Sequence, residues 1–438
     1  MSPLVIERVR DPRRGRGGHG ARRARTHGTA AVIVVAGAVL GWVVPHAESW
    51  FSDIGLGFDA STAQATLAAI AGGMITLAGF VVTAITLVVQ TVQNMSPRLV
   101  GALGQFHRYV TIFGMLIGTA LFSLVALSQV TGDEVPRLST TCAVALVLAD
   151  AVAVLYLLAS LRNAVTGGGL SRAVGDRLRT VIDQTYPAAD HAATPHPAAV
   201  PDGPRTPIRH QGRPGVIVSV DERRLTQLAA AAEVYVELTC AVGDFVGDGT
   251  VIGGLVPAAP GPDDAELAGR IADCVRYGPT RTVEQDPAYG LRLLADIAIR
   301  GLSPAVNDPT TAVQALDQIE DVLVRLAARP LGPAWLDAAD DVPRVALTAP
   351  GWPELVGLAL DESLLYGASN PQVVRRLRTL FHRLAAAAPE DRRAPVGERL
   401  DALDRLATAA LSDPLLREVA GRPDVQGLGG SHTLTTGA

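Results

Sequence analysis

Lysine is absent from this chain: all 38 basic residues are arginine. That removes a Schiff-base lysine, a P-loop lysine, a kinase-type phosphate lysine and any lysine carrying lipoyl or biotin. Histidine is scarce where catalysis would want it. None of the nine falls between Gln211 and Phe381, which rules out a histidine-based triad or histidine-ligated zinc within that stretch. Cysteine is limited to Cys142, Cys240 and Cys274, without a CxxC pair; these read as small buried hydrophobes in a reducing compartment. Aromatics are only 4%. A net charge of −5 argues against general nucleic-acid binding. No cofactor, metal centre or catalytic set is expected. Charge of either sign is missing from the whole stretch between Asp59 and Arg98. Lipid explains an uncharged run that long; a soluble core helix rarely needs it.

What the chain does have is 48% hydrophobic residues over 438 positions. Four apolar segments stand out: Thr29 to Pro45, a second within Ala60 to Pro97, Tyr109 to Val130, and Leu138 to Leu161. The last three are each long enough to cross a hydrocarbon core of ~30 Å. Eight arginines lie between Arg8 and Arg25, so the positive-inside rule puts the N-terminus in the cytoplasm. The next loop carries Glu48, Asp53 and Asp59 and no arginine; the one after it brings Arg98 and Arg108. The expected topology is four spans in the inner (plasma) membrane with both termini cytoplasmic.

Within the second segment Gly72, Thr76, Gly79, Thr83, Thr86, Gln90 and Gln93 recur at alternating steps of four and three. That spacing puts them on one helical face. The face can be a packing surface, where small residues let helices approach and Thr and Gln bond across. It can equally line a wet path in an oligomer. Asp150 stands at the middle of the fourth segment. A carboxylate there costs ~2.5–3.5 kcal/mol on insertion scales and usually faces a partner or a cavity. Threonines or glutamines of the second segment are its expected partners. It serves either as an interhelical hydrogen bond or as a proton or cation site.

Residues 166–213 read as an amphipathic helix, with Val174, Leu178 and Ile182 on one face, followed by a Pro-rich linker. Residues 214–257 read as a small β-rich unit, because Val234, Val236, Leu238 and Cys240 alternate with polar neighbours and Gly243-Asp244 and Gly247-Asp248-Gly249 signal turns. The Gly243 to Val246 turn resembles a barrel-sandwich domain, without its modified lysine. Residues 262–420 read as helical. Asp286-Pro287 and Asp308-Pro309 each place a capping acid before a proline at the first helical position. The arm 1–28 and the tail 421–438 are expected to be disordered. The fold class is therefore mainly α: a four-span membrane domain (29–165) and a cytoplasmic α+β part.

Arg281, Asp286, Asp296, Ser303, Asn307 and Asp308 form the candidate cytoplasmic ligand site. The bland alternative is that Asp286 and Asp308 are caps and that 301–308 is an interhelical turn.

Three segments carry a resemblance to a known group. They are Gln93-Asn94-Met95-Ser96-Pro97-Arg98-Leu99, the Gly243-Asp244-Phe245-Val246 turn, and the run from Gln285-Asp286-Pro287-Ala288-Tyr289-Gly290 to Leu302-Ser303-Pro304-Ala305-Val306-Asn307-Asp308-Pro309-Thr310-Thr311-Ala312. Together they resemble the bacterial predicted membrane proteins catalogued as domain of unknown function twenty-two fifty-four. Gly301 departs from that pattern, where alanine is expected. The resemblance implies architecture and location rather than a reaction. Three functional readings follow. The first is a homo-oligomeric channel- or transporter-like conduit. The second is a membrane-anchored regulatory or scaffold protein binding a partner, a small ligand or an ion. The third, a membrane enzyme, is disfavoured by the missing lysine and histidine.

Overall fold

The computed structural model describes residues 19–47, 59–95, 106–130, 137–165, 168–186, 202–257, 264–337 and 342–429. It divides between Gly169 and Leu170 into two compact units.

The first unit has four helices: α1 (His19–Ala47), α2 (Ala60–Met95), α3 (Phe106–Ser128) and α4 (Arg137–Val165). Each contains a stretch long and apolar enough to cross a membrane: Gly28–His46, Ala60–Thr91, Arg108–Ser128 and Arg137–Arg162. All four expected segments are there. Helix α1 begins at His19, inside the arm expected to be disordered. Asp59 starts α2, accepting from the Ser61 hydroxyl at 2.5 Å and the Thr62 amide at 3.3 Å. At 1.5 Å per residue α2 is ~54 Å long, well beyond a hydrocarbon core.

Met74, Ala78 and Val81 of α2 pack with Ile112, Leu116 and Ala120 of α3 and with Leu157 and Leu161 of α4. Leu67, Phe122, Ala126 and Ala143 form a second cluster. Helices α1 and α3 touch backbone to backbone. A Cβ on Gly37 would lie 2.2 Å from the Gly118 carbonyl oxygen, and one on Gly41 2.5 Å from that of Phe122. Only glycine permits that approach.

The second unit opens with α5 (Gly169–Thr185), whose Val174, Leu178 and Ile182 are buried as their spacing predicts. Eight strands follow: β1 (Thr206–Arg209), β2 (Gly215–Val220), β3 (Val234–Leu238), β4 (Phe245–Val246), β5 (Val251–Pro257), β6 (Val275–Gly278), β7 (Ala334–Asp337) and β8 (Pro343–Leu347). They form a five-stranded sheet in the order β1-β5-β3-β8-β7 and a three-stranded sheet, β4-β2-β6. Pairing is antiparallel except between β3 and β8, where Val236 faces Val345 in parallel register. Ile208, Val236, Leu255 and Val345 of the larger sheet and Ile217 and Val246 of the smaller share one core. Helices α6 (Glu222–Ala231) and α7 (Asp264–Ala272) add Leu225 and Ile271 to it. The β part is thus larger than 214–257. It takes β1 from the expected linker and β6, β7 and β8 from the expected helical region.

Helices α8 (Pro287–Leu302), α9 (Pro309–Ala327), α10 (Trp352–Gly367), α11 (Pro371–Ala387), α12 (Ala394–Ala410) and α13 (Pro414–Gly421) complete the unit. Asp286, Asp308, Asn370 and Asp413 cap α8, α9, α11 and α13, each just before a proline. Arg376 of α11 is 3% exposed at its side chain and bonds Asp317 at 2.7 Å and Glu320 at 2.6 Å, both on α9. Residues 421–429, expected to be disordered, are packed. Buried Asp424 accepts from the Gln426, Gly427 and Gly429 amides, and Arg375 donates to the Arg422 and Gly429 carbonyls. The rest of that tail, and most of the basic arm, lie outside the described residues.

Candidate functional site

Helix α2 buries one face within its own unit: Ala63, Leu67, Ala71, Met74, Ala78 and Val81. The polar series lies elsewhere. Gly72, Thr76, Gly79, Thr83, Thr86, Gln90 and Gln93 are all exposed. At 100° per residue the two faces are centred roughly 130° apart. The series is therefore not a contact among this chain's own described helices. Its hydroxyls are occupied locally: Thr76 donates to the Gly72 carbonyl at 3.0 Å, Thr83 to Gly79 at 3.0 Å and Thr86 to Val82 at 2.8 Å. Nothing lies within 4 Å of a Cβ built on Gly72 or Gly79. Glycine in an open helical face costs ~0.8–1 kcal/mol against alanine. Among the described residues no close contact offsets it.

Asp150 is buried, 2% exposed. Its partner is Thr119 of α3, whose hydroxyl donates to one carboxyl oxygen. This corrects the expectation that α2 would supply the partner. The other oxygen, Oδ2, has none.

The six residues proposed to converge occupy three places. At the N-terminus of α8, Asp286 accepts from the Tyr289 amide at 2.8 Å, while Arg281 donates to the Gly243 carbonyl at 2.8 Å. Gly243, with φ +101°, lies so close that a Cβ there would come within 2.4 Å of Asp286 Oδ2. The two motifs, Gly243 to Val246 and Gln285 to Gly290, thus meet at one junction. Gln285 extends it, accepting from the Val220 amide at 3.0 Å. Burial pushes the Asp286 carboxyl from the ordinary 3.8 up to about 6; the Tyr289 amide and Arg281 oppose the rise, and Asp244 adds to it. Mid-helix, Asp296 pairs with Arg292 at 2.6 Å, and Arg292 also bonds Glu362. At the C-terminus of α8, ~24 Å from its start, Ser303 donates to the Arg300 carbonyl and Asp308 caps α9 through the Thr311 amide. Asn307 takes φ +47°. The Asp308 amide reaches back to the Gly301 carbonyl at 2.7 Å. A Cβ on Gly301 would sit 2.8 Å from the Asp308 oxygen, so the departure from alanine fits a tight turn. Residues 301–308 are that interhelical turn, and Asp286 and Asp308 are caps. Of the third motif, Gln93 is exposed, and Ser96 to Leu99 lie outside the described residues.

The model for "Predicted membrane protein (DUF2254)" matches residues 24–383, running from α1 into α11. The chain belongs to this family. Uncharacterized proteins of Mycobacterium tuberculosis (strain H37Rv) and Mycobacterium bovis are each 30% identical to it over 299 residues, covering 64% of this chain and 55% of the relative. The chain thus spans about half the length of these relatives. No solved structure matches it. The four apolar helices and the family's description agree on a membrane protein whose function has not been determined.

Reading the sequence missed the α1–α3 contact and the Thr119 partner. The first had a signal, since Gly37 and Gly41 on α1, and Gly114 and Gly118 on α3, each stand at the G-x-x-x-G spacing of close helix pairs. The second had none beyond a threonine in an apolar segment.

Proposed function

We propose that this DUF2254 protein is a homo-oligomeric conduit in the inner (plasma) membrane, assembled through α2, with both termini and the second unit in the cytoplasm. One observation carries the reading: α2 presents glycines, threonines and glutamines on a face that its own described helices leave open. A second copy supplies the close approach that Gly72 and Gly79 allow, and the threonine and glutamine oxygens that remain then line a polar path between copies. The arginine-rich arm and the acidic first loop support the orientation through the positive-inside rule.

Within the second unit α5, the segment that follows the last span in sequence, is tied to α9. Arg179 bonds Asp321 at 2.7 Å, and Asp183 takes Arg325 at 3.2 Å and Arg329 at 2.8 Å. A rearrangement of α9 is therefore carried to α5, the segment through which the second unit would gate the conduit.

Single cysteines at 76, 83 and 86, in a chain with Cys142, Cys240 and Cys274 replaced, test the reading. Water-soluble thiol reagents should label them and bifunctional reagents should join copies, while Ala78→Cys, on the buried face of α2, stays unlabelled. No labelling and no cross-linking at all three sites would remove the conduit. A membrane-anchored scaffold is the second reading, favoured by the outward-facing Phe245, Leu365, Tyr366 and Leu415 of the second unit, each at least half exposed. Partner capture through these side chains, without ion flux in liposomes, would select it.

A further inference from the structure

Among the described residues of the membrane unit, two buried side-chain polar atoms lack a hydrogen-bond partner: Ser123 Oγ and Asp150 Oδ2. One face of α3 relates them. Asp150 already holds Thr119 with its other oxygen. Ser123 stands one turn beyond Thr119 on the same face of α3, where side chains four apart are ~5–6 Å from each other. Thr119, Ser123 and Asp150 are each at most 3% exposed.

Among the described residues no counter-charge is at hand. On α4 itself Arg137 and Arg162 are ~20 Å and ~18 Å away along the axis, and Tyr156 ~9 Å. On α3, Arg108 and Tyr109 lie ~17 Å and ~15 Å from the level of Thr119. Arg108 moreover donates to the Tyr156 hydroxyl at 2.8 Å, and Tyr109 bonds Ser160. Helix α2 carries no ionisable residue from Ala60 to Met95. On α1, His46 bonds the Trp42 carbonyl near the helix end. A buried carboxylate with one hydroxyl donor and no cation near it at mid-span is an expensive arrangement.

We infer that Asp150, Thr119 and Ser123 form a reversible proton-binding site between α3 and α4. In the charged form Oδ1 keeps the Thr119 hydrogen bond and Oδ2 is the empty base. Taking up H⁺ from water makes Oδ2 a hydroxyl donor, and a rotation of Ser123, one turn along α3 from Thr119 and itself unpartnered, would offer Oγ as its acceptor. The reaction is carboxylate plus proton to carboxylic acid, with no other bond changed. Each change of state rewrites the α3–α4 contact. That it regulates flux rests on the conduit reading; the site itself does not, since the α2 series faces away from it.

Infrared spectroscopy of the full chain in nanodiscs, titrated from acid to alkaline pH, tests the site. The expected result is one carboxylic-acid carbonyl band that disappears as pH rises, is missing in Asp150→Asn, and changes frequency in Ser123→Ala and Thr119→Val. Isotopically labelled aspartate assigns the band in the unmodified chain if Asp150→Asn does not fold. A band absent at every pH, one that never titrates, or one indifferent to both hydroxyl variants would overturn the proposal. So would loss of the band on adding sodium at fixed pH, which would assign a cation site instead. Flux measured in liposomes of the same protein reports on the conduit separately: a titrating band without flux keeps the site and removes the conduit.

Discussion

The contact between α1 and α3 and the contact between α9 and α11 hold helices together by opposite means. In the first, Gly37 and Gly118 strip the surface to bare backbone, and no charge takes part. In the second, Arg376 is driven into the interface and met by Asp317 and Glu320. The solvent explains the difference. Between apolar spans in lipid there is no water to expel, so close packing of small residues is the available gain. In water, long side chains can be buried if their charges are paired and hydrogen-bonded. The α2 series has a surface of the first kind, with Gly72 and Gly79 and with threonine hydroxyls folded onto its own carbonyls, yet none of the described residues packs against those glycines. Under the proposed function the series is half of a membrane contact whose other half is a second copy.

The largest expected effect probes the charged contact. Arg376→Ala should cost ~3–5 kcal/mol, because it strands the buried Glu320; the loss falls toward the lower end, since Asp317 is 43% exposed at its side chain and Arg383 still bonds Glu320 at 2.9 Å. Urea unfolding of the full chain in detergent, followed by the fluorescence of Trp335 and Trp352, measures it. A loss under ~1 kcal/mol would mean that the pairing is not what holds α11 to α9, and the contrast between the units would weaken.

Asp286 sharpens the same comparison, because it is a buried acid without a paired cation. Its folded value of about 6, above the ordinary 3.8, gives the sign. The contribution to stability is fully present below pH 3.8 and is lost as pH rises through about 6. The difference is worth roughly 3 kcal/mol. Asp286→Asn keeps the cap, since asparagine serves as well at that position. It should stabilise the unit by up to roughly 3 kcal/mol at alkaline pH and by little near pH 3.8. An equal effect at both ends of the titration would show that Asp286 is not the titrating group.

A leucine placed on each glycine face gives a smaller and more selective effect. Gly118→Leu should destabilise the membrane unit by ~1–3 kcal/mol through overpacking. Gly79→Leu should leave the protomer intact, gaining up to ~1 kcal/mol of helix propensity, and should instead dissociate copies. Thermal unfolding and native mass in detergent separate the two. Identical behaviour would erase the distinction between a closed face and an open one.

How far these features can be read from the sequence follows from how local each one is. The four apolar helices were legible because charge is nearly absent over each whole segment, Asp150 being the exception. The Asp286-Pro287 and Asp308-Pro309 caps were legible because a cap is settled within four residues. Strands β7 and β8 were not, since Val236 meets Val345 across more than a hundred positions and nothing near either residue announces the other. Residues 421–429 looked disordered for the same reason: Arg375, on α11, is what fastens them. At the candidate site, periodicity groups Gly72 to Gln93 on one face of α2 but carries no information on what that face meets. Asp150 stood out as a lone charge, while Thr119 is indistinguishable in sequence from any other threonine in an apolar run.

The smallest expected effect on stability tests the hold of α9 on α5 within the second unit. Asp183 receives Arg325 and Arg329 but is itself 47% exposed. Exposed pairs contribute ~0–1 kcal/mol, so Asp183→Asn should shift the unfolding midpoint barely at all. Its effect should appear elsewhere. If α5 transmits motion from α9 toward α4, loosening these bonds raises hydrogen exchange in α5 while the α9 core, with Leu316, Ile319 and Leu323 fully buried, stays protected. Arg329 also donates to the Tyr186 carbonyl at 2.7 Å, so the C-terminal end of α5 should loosen first and its N-terminal turn last. Uniform protection along α5 in the variant would mean that the apolar face, Val174, Leu178 and Ile182, holds the helix by itself. The ion pairs would then set its register on α9 without adding to its grip, and gating through α5 would have to act through that apolar contact.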